Sequence, residues 1–145
     1  MTRVLIVDDD APIRLLCRVN LEAEGMEVVE AHDGADGLEK ARAVEPDVVL
    51  LDVMLPQLDG WRVAEALLED PVTGAIPIVF LTARAELRDQ ARGLEIGGID
   101  YITKPFHPIE LAKVIRTLLE RVERGEHDAM RREKLARLRS LSNGE

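Results

Sequence analysis

Val4-Leu5-Ile6-Val7-Asp8-Asp9-Asp10 sets four apolar residues directly against three acids. A short apolar run of β-branched and leucine residues reads as a strand buried on both faces. The same shape recurs three times. Val48-Val49-Leu50-Leu51 runs into Asp52, Ile78-Val79-Phe80-Leu81 into Thr82, and Tyr101-Ile102-Thr103 into Lys104-Pro105. Each run ends on a residue that can handle a phosphoryl group or a metal. In an open parallel sheet the carboxyl ends of the strands share one edge, which is where such folds bind ligands. Residues far apart in sequence would therefore meet in one small site.

Between these runs the apolar period changes to that of helices. The first strand is expected over 3–7 and the first helix over 11–24, with Asp10 as N-cap and Pro12 in its first turn. Gly25 stops that helix. Strand two is placed at 26–31, where two glutamates mark an edge strand, and helix two at 34–44, ending before Pro46. Strand three is placed at 47–51, helix three after Gly60, strand four at 77–81, helix four over 86–96, strand five at 99–103 and helix five from Pro108. Strict alternation predicts an α/β fold: a (βα)5, doubly wound, parallel five-stranded sheet with right-handed crossovers. Strands one, three and four are the most apolar and belong in the centre, giving the order 2-1-3-4-5.

The chain has 145 residues and is 46% hydrophobic but only 3% aromatic, so Val, Leu, Ile and Ala must build the core. A net charge of -9 argues against sequence-independent nucleic-acid binding, which needs basic residues to neutralise phosphates. The lone Cys17 lies among Ile13, Leu16 and Leu21 and reads as core filler. Arg3 already enters a strand, leaving no room for a signal peptide, and no apolar stretch approaches the ~18 residues of a membrane span. A soluble, cytoplasmic protein with no membrane or direct nucleic-acid contact is expected. Residues 1–124 read as one domain. Residues 125–145 form a basic, leucine-bearing tail with five basic against four acidic residues, expected as a helical extension or linker.

Asp8, Asp9 and Asp52 converging at one edge would repel and raise one another's pKa, and a divalent cation relieves that. Mg²⁺ suits such a site, because it takes a few carboxylates, keeps several waters and accepts substrate phosphate. A backbone carbonyl just past Asp52 could add a ligand. One carboxylate could then act as nucleophile toward phosphorus, with Lys104 and Thr82 stabilising the transferred oxygens from the other side. Gly60 and Pro56 shape the loop after Asp52, and Pro105 shapes the loop after the lysine. His32, His107 and His127 lack ligand spacing and read as surface residues. Trp61 reads as partly buried packing.

Four segments carry a resemblance: 4–10 (Val-Leu-Ile-Val-Asp-Asp-Asp), 50–60 (Leu-Leu-Asp-Val-Met-Leu-Pro-Gln-Leu-Asp-Gly), 80–83 (Phe-Leu-Thr-Ala) and 100–106 (Asp-Tyr-Ile-Thr-Lys-Pro-Phe). In order and spacing they resemble the receiver domain of two-component response regulators, over about residues 2–124, with its flavodoxin-like fold. The resemblance implies Asp52 as phosphoacceptor, with Asp9 as direct metal ligand, Asp8 in support and the Met54 carbonyl completing the set. It implies Lys104 as counter-cation and Thr82 with Tyr101 as a switch pair that remodels the face of helix four, strand five and helix five. It implies Mg²⁺ as cofactor, and a sensor histidine kinase or phosphotransfer protein as donor. The protein is then a phosphoacceptor switch rather than an enzyme with a separate substrate.

Output is expected through protein contacts at that face, to a downstream target or in a phosphorylation-dependent homodimer. Asp100, Glu110 and Arg121 retain part of a charged pairing pattern there, while Ile99 and Val114 replace charges with apolar rim. Two other readings are open. The chain could be the receiver part of a longer regulator. It could also be a Mg²⁺-dependent phosphohydrolase working through an aspartyl phosphate, although Met54 stands where that chemistry wants a second acid.

Overall fold

The computed structural model describes residues 1–56, 58–82, 87–98, 100–104 and 106–142, with the side chains of 82, 87–90, 108 and 142 outside that description. Five strands, β1 (Arg3–Val7), β2 (Glu27–Ala31), β3 (Val48–Asp52), β4 (Ile78–Thr82) and β5 (Asp100–Thr103), alternate with α1 (Ala11–Ala23), α2 (Gly34–Val44), α3 (Gly60–Glu69), α4 (Leu87–Ile96) and α5 (Pro108–Glu123). A sixth helix, α6 (His127–Ser142), follows. All pairings are parallel and the order is β2-β1-β3-β4-β5. The expected topology is therefore present, with element ends displaced by about one residue.

Alternation along each strand divides the core in two. Val4, Ile6, Val48, Leu50, Val79 and Leu81 face α1 and α5, meeting Cys17, Leu21, Leu111, Ile115 and Leu118. Leu5, Val7, Val49, Leu51, Ile78 and Phe80 face the other way, onto Ala41 of α2 and Val63, Ala64 and Leu67 of α3. Scarce aromatics are concentrated on this side, where Trp61 packs at 5.0 Å from the Phe80 ring. Gly93 brings α4 against that pair; a Cβ there would meet Phe80 at 2.8 Å.

Helix ends follow local chemistry. Asp10, Asp33 and Asp59 each accept a backbone N–H from the first turn of the helix they precede, satisfying donors that the helix itself cannot. At the other end of α1, Gly25 (φ 81°) donates to Glu22 and Met26 donates back to Leu21. Gly125 (φ 76°) repeats this after α5, donating to Val122 while Glu126 donates to Arg121. Both are left-handed caps that stop a helix and turn the chain.

The tail consequently does not extend α5, which is a correction to one expectation for it. It turns at Gly125 and returns as α6, packed across α4, β5 and α5. Two of the charges on that face find their partners within the chain. Asp100 is buried and paired with Lys134 of α6 at 3.4 Å. Arg121 is held by Glu126 and by Glu133 of α6, both at 2.9 Å. Val114 is half-buried against the α5 side of the core, and Ile99 lies outside the described residues. Among the described residues no helix is long and apolar enough to cross a membrane.

Candidate functional site

The site forms where three strands end. Asp8 follows β1, Asp52 closes β3 and Lys104 follows β5. Because β1 and β3 are direct neighbours with Val7 level with Leu51, the two acids emerge side by side. Asp8 is fully buried and Asp52 is 4% exposed, whereas Asp9 points to solvent. Carboxylate oxygens of all three lie within 4.8 Å of one another. Segments about 45 residues apart thus produce one acidic cluster.

Each buried oxygen has a partner. Asp8 Oδ1 accepts from the Asp10 backbone N–H at 2.9 Å, and Asp8 Oδ2 accepts from Lys104 Nζ at 2.7 Å. Asp52 Oδ1 accepts from the Met54 N–H at 2.9 Å, and its Oδ2 accepts from the same Lys104 ammonium at 3.2 Å. One cation therefore bridges two carboxylates from separate strands. Burial pushes the Asp52 carboxyl above its ordinary range, and Asp8 adds to this; the Met54 N–H and Lys104 offset only part. Burial works against the Lys104 ammonium, but the hydrogen bond to Asp8 and the fields of both acids outweigh it and leave its pKa raised.

The loop after Asp52 is held close by Gly60, whose N–H donates to the Val53 carbonyl at 3.1 Å. A Cβ at that position would fall on the Asp52 carbonyl oxygen and 2.5 Å from Val53 Cα. Only glycine lets α3 begin this near the site. Arg14 was not anticipated. Its guanidinium donates to the Asp8 carbonyl at 2.6 Å and to Glu30 at 3.1 Å, fixing the backbone that carries the acid pair. A basic residue one turn into the helix after the acids was the available signal. Trp61 is partly buried, as expected, with Arg92 5.2 Å over its ring.

Of the remaining residues singled out, Met54 is exposed beside the cluster. Tyr101 is half-buried on β5, with Lys134 Nζ 5.7 Å over its ring. Thr82 ends β4 level with Thr103, and its hydroxyl lies outside the described atoms, as does Pro105.

The family model of the response regulator receiver domain matches residues 4–116. The chain belongs to that family. Receivers of this kind are signalling switches of two-component systems, in which phosphorylation and Mg²⁺ are general features. The "DNA-binding dual master transcriptional regulator RpaA" of Synechocystis is 42% identical over 124 residues, spanning 86% of this chain and 52% of that protein. The "alkaline phosphatase synthesis transcriptional regulatory protein PhoP" of Bacillus subtilis is 43% identical over 83% of this chain and 50% of its own length. The chain thus spans about half the length of these relatives. Among solved structures, a CheY-like receiver from Methanospirillum hungatei matches with TM-score 0.80 and 30% identity, covering 86% of this chain and 98% of that one. The chemotaxis protein CheY4 of Vibrio cholerae matches with TM-score 0.77 and 32% identity over 81% of this chain and 98% of its own. The shared receiver fold accounts for both sets of matches.

Proposed function

We propose that Asp52 accepts a phosphoryl group from a phosphohistidine donor, with Mg²⁺ held by Asp8, Asp9, Asp52 and the Met54 carbonyl. The observation that carries this reading is the Lys104 ammonium bridging Asp8 and Asp52 inside a cluster of three carboxylates. The donor set fits a hard cation that prefers oxygen ligands and keeps some of its waters, because one of the three acids is exposed. When bound, such a cation neutralises charge on the transferring oxygens.

Asp52 Oδ attacks phosphorus in line. The P–N bond to the donor imidazole breaks, its electron pair stays on that nitrogen, and an acyl phosphate forms on Asp52. Lys104 is already within reach of Asp52 and takes up the new negative charge. Thr82 supplies a hydroxyl to the phosphoryl group from the end of β4, and Tyr101 on the next strand reports the change. The protein catalyses only its own phosphorylation and dephosphorylation.

Beside the acids, α1 exposes Leu15 (60%) and Val19 (57%) one turn apart. An exposed apolar stripe next to an acceptor suits a docking protein, and the donor sits there, a sensor histidine kinase or phosphotransfer protein. The double variant Leu15→Asp, Val19→Asp should keep labelling by acetyl phosphate and lose transfer from its histidine kinase; equal loss of both would remove the docking role.

Output runs through protein contacts, whether the receiver acts alone or within a longer regulator, as its relatives' names imply. The net charge of -9 on these residues disfavours direct contact with nucleic-acid phosphates. The acceptor assignment is tested by intact mass after acetyl phosphate and Mg²⁺. Wild type should gain one phosphoryl group, and Asp52→Asn or chelated protein none. Labelling of Asp52→Asn to the wild-type level would overturn it.

A further inference from the structure

The face formed by α4, β5 and α5 is occupied by the chain's own last helix. Leu94, the buried apolar residue among the described side chains of α4, has its buried neighbours in Leu135 and Leu138 of α6, with Ala91 and Tyr101 packed alongside. The side of α4 that meets the sheet does so through Gly93 against Phe80. Ala91 and Leu94 therefore depend on α6 for cover. Met130 of α6 joins the core beneath α5. Polar contacts pin the same helix through three of its residues. Lys134 reaches Asp100 at 3.4 Å and the Tyr101 ring at 5.7 Å. Arg121 donates to both oxygens of Glu133 at 2.9 and 3.0 Å, and Arg139 lies 3.7 Å from Glu95.

Two observations make this contact one that can open. An isolated helix shorter than about 12–15 residues is marginal in water even when alanine-rich, and α6, at 16 residues with charge on most of its surface, is little longer. Its order rests on docking. The fit is also incomplete: a cleft of about 350 Å³ remains between α5 and α6, lined by Val114, Thr117, Leu118, Met130 and Lys134. Poorly filled contacts lie at the low-stability end of a fold.

The phosphoacceptor site and α6 share β5. This strand has four residues and one neighbour, β4. Asp100 and Tyr101 at its start are gripped by Lys134. Lys104, immediately past its end, is gripped by Asp8 and Asp52. A phosphoryl group on Asp52 places about two negative charges where the carboxylate held one and redirects Lys104, and that pull acts on a short edge strand whose other end carries the α6 contacts.

We propose that α6 is the resident occupant of the α4–β5–α5 face and that loading of Asp52 displaces it, exposing a surface for a partner presenting a similar basic, leucine-bearing helix. The inference rests on the reading of Asp52 as acceptor. Coupling of this kind is reciprocal: whatever factor separates α6 docking in the two states must also separate phosphoryl-site affinity with α6 docked or freed.

Hydrogen exchange on the full chain tests it, with Mg²⁺ alone and with Mg²⁺ plus beryllofluoride as the phosphoryl mimic. Amides of residues 130–139 should be protected in Mg²⁺ and lose roughly tenfold or more of that protection with beryllofluoride. In Lys134→Glu, and separately in Leu138→Ala, α6 should exchange faster without the mimic, and beryllofluoride should bind roughly fivefold tighter or more. If residues 50–54 respond to beryllofluoride while 130–139 stay equally protected, α6 is a fixed part of the domain and the inference is wrong. If both variants free α6 without changing beryllofluoride affinity, the coupling is wrong. If residues 50–54 do not respond either, the acceptor reading has failed and takes this inference with it.

Discussion

Lys104 holds two buried carboxylates at once, and this decides how the site behaves without metal. Removing the ammonium leaves Asp8 and Asp52 facing each other in a low-dielectric setting, where breaking a pair is costly. The lysine side chain is 18% exposed, so water recovers part of that cost. Lys104→Ala should therefore lower metal-free stability by about 2 kcal/mol, and Mg²⁺ should return much of it, as read by urea denaturation. Asp9 has the opposite sign. Its exposed carboxylate adds repulsion and has no cation partner among the described contacts, so Asp9→Asn should slightly stabilise the metal-free protein and abolish its response to Mg²⁺. A variant melting like wild type in Mg²⁺ would remove Asp9 from the ligand set.

The pH dependence follows from Asp52. Its folded pKa is raised, first by burial, so ionising it costs stability as pH rises from the ordinary carboxylate value, about 3.9, through that raised value. Metal competes with the same proton. The increment in melting temperature that Mg²⁺ provides should vanish on acidification through that window and be complete well above it. An increment that persists unchanged into acid would place the metal elsewhere. Cys17 reports on a different level: burial pushes its thiol up to about 12, so alkylation at pH 8 should track global unfolding rather than native exposure.

Among the elements, glycines separate what was legible from what was not. Gly25 reads as a stop from its place after an apolar period, and the structure gives it φ 81°. Gly125 has the same local setting and φ 76°. Taking the tail as an extension of α5 overlooked the signal already accepted at Gly25. Strands β1, β3 and β4 were legible because each apolar run is continuous and ends abruptly on a polar residue. The pairing of Asp100 with Lys134, and of Arg121 with Glu133, was not. Those contacts depend on where α6 lands after its turn, and no sequence period encodes that landing. Arg14 was missed for a related reason: its partners are a backbone carbonyl and a glutamate on β2. Gly60→Ala tests the tightest approach. Its Cβ would strike the Asp52 carbonyl and Val53 Cα, both backbone, so a loss of about 2–3 kcal/mol is expected, with weakened Mg²⁺ binding. Wild-type stability would mean the loop relaxes freely.

Across the whole molecule, parallel topology does the assembling. Order β2-β1-β3-β4-β5 puts the strand carrying Asp52 between those carrying the acid pair and the threonine, with the lysine one strand further. One sheet edge thus gathers these residues, while the outer strand, β5, also bears contacts to α6. The covered face has a bearing on association. With α6 docked, the chain should run as a monomer in light scattering with Mg²⁺ alone, and self-association, if it uses this face, should appear only with beryllofluoride. A dimer of equal affinity in both conditions would put the contact on another surface.

The most direct test of the account is to locate the acyl phosphate chemically. Borohydride reduces an acyl phosphate to the alcohol, which would convert the modified aspartate to homoserine. After acetyl phosphate and Mg²⁺, peptide mapping should find homoserine at position 52, and none there when the metal is chelated. Homoserine at position 8, 9 or 59 with Asp52 untouched would contradict the assignment of the acceptor and the arrangement of roles built around it.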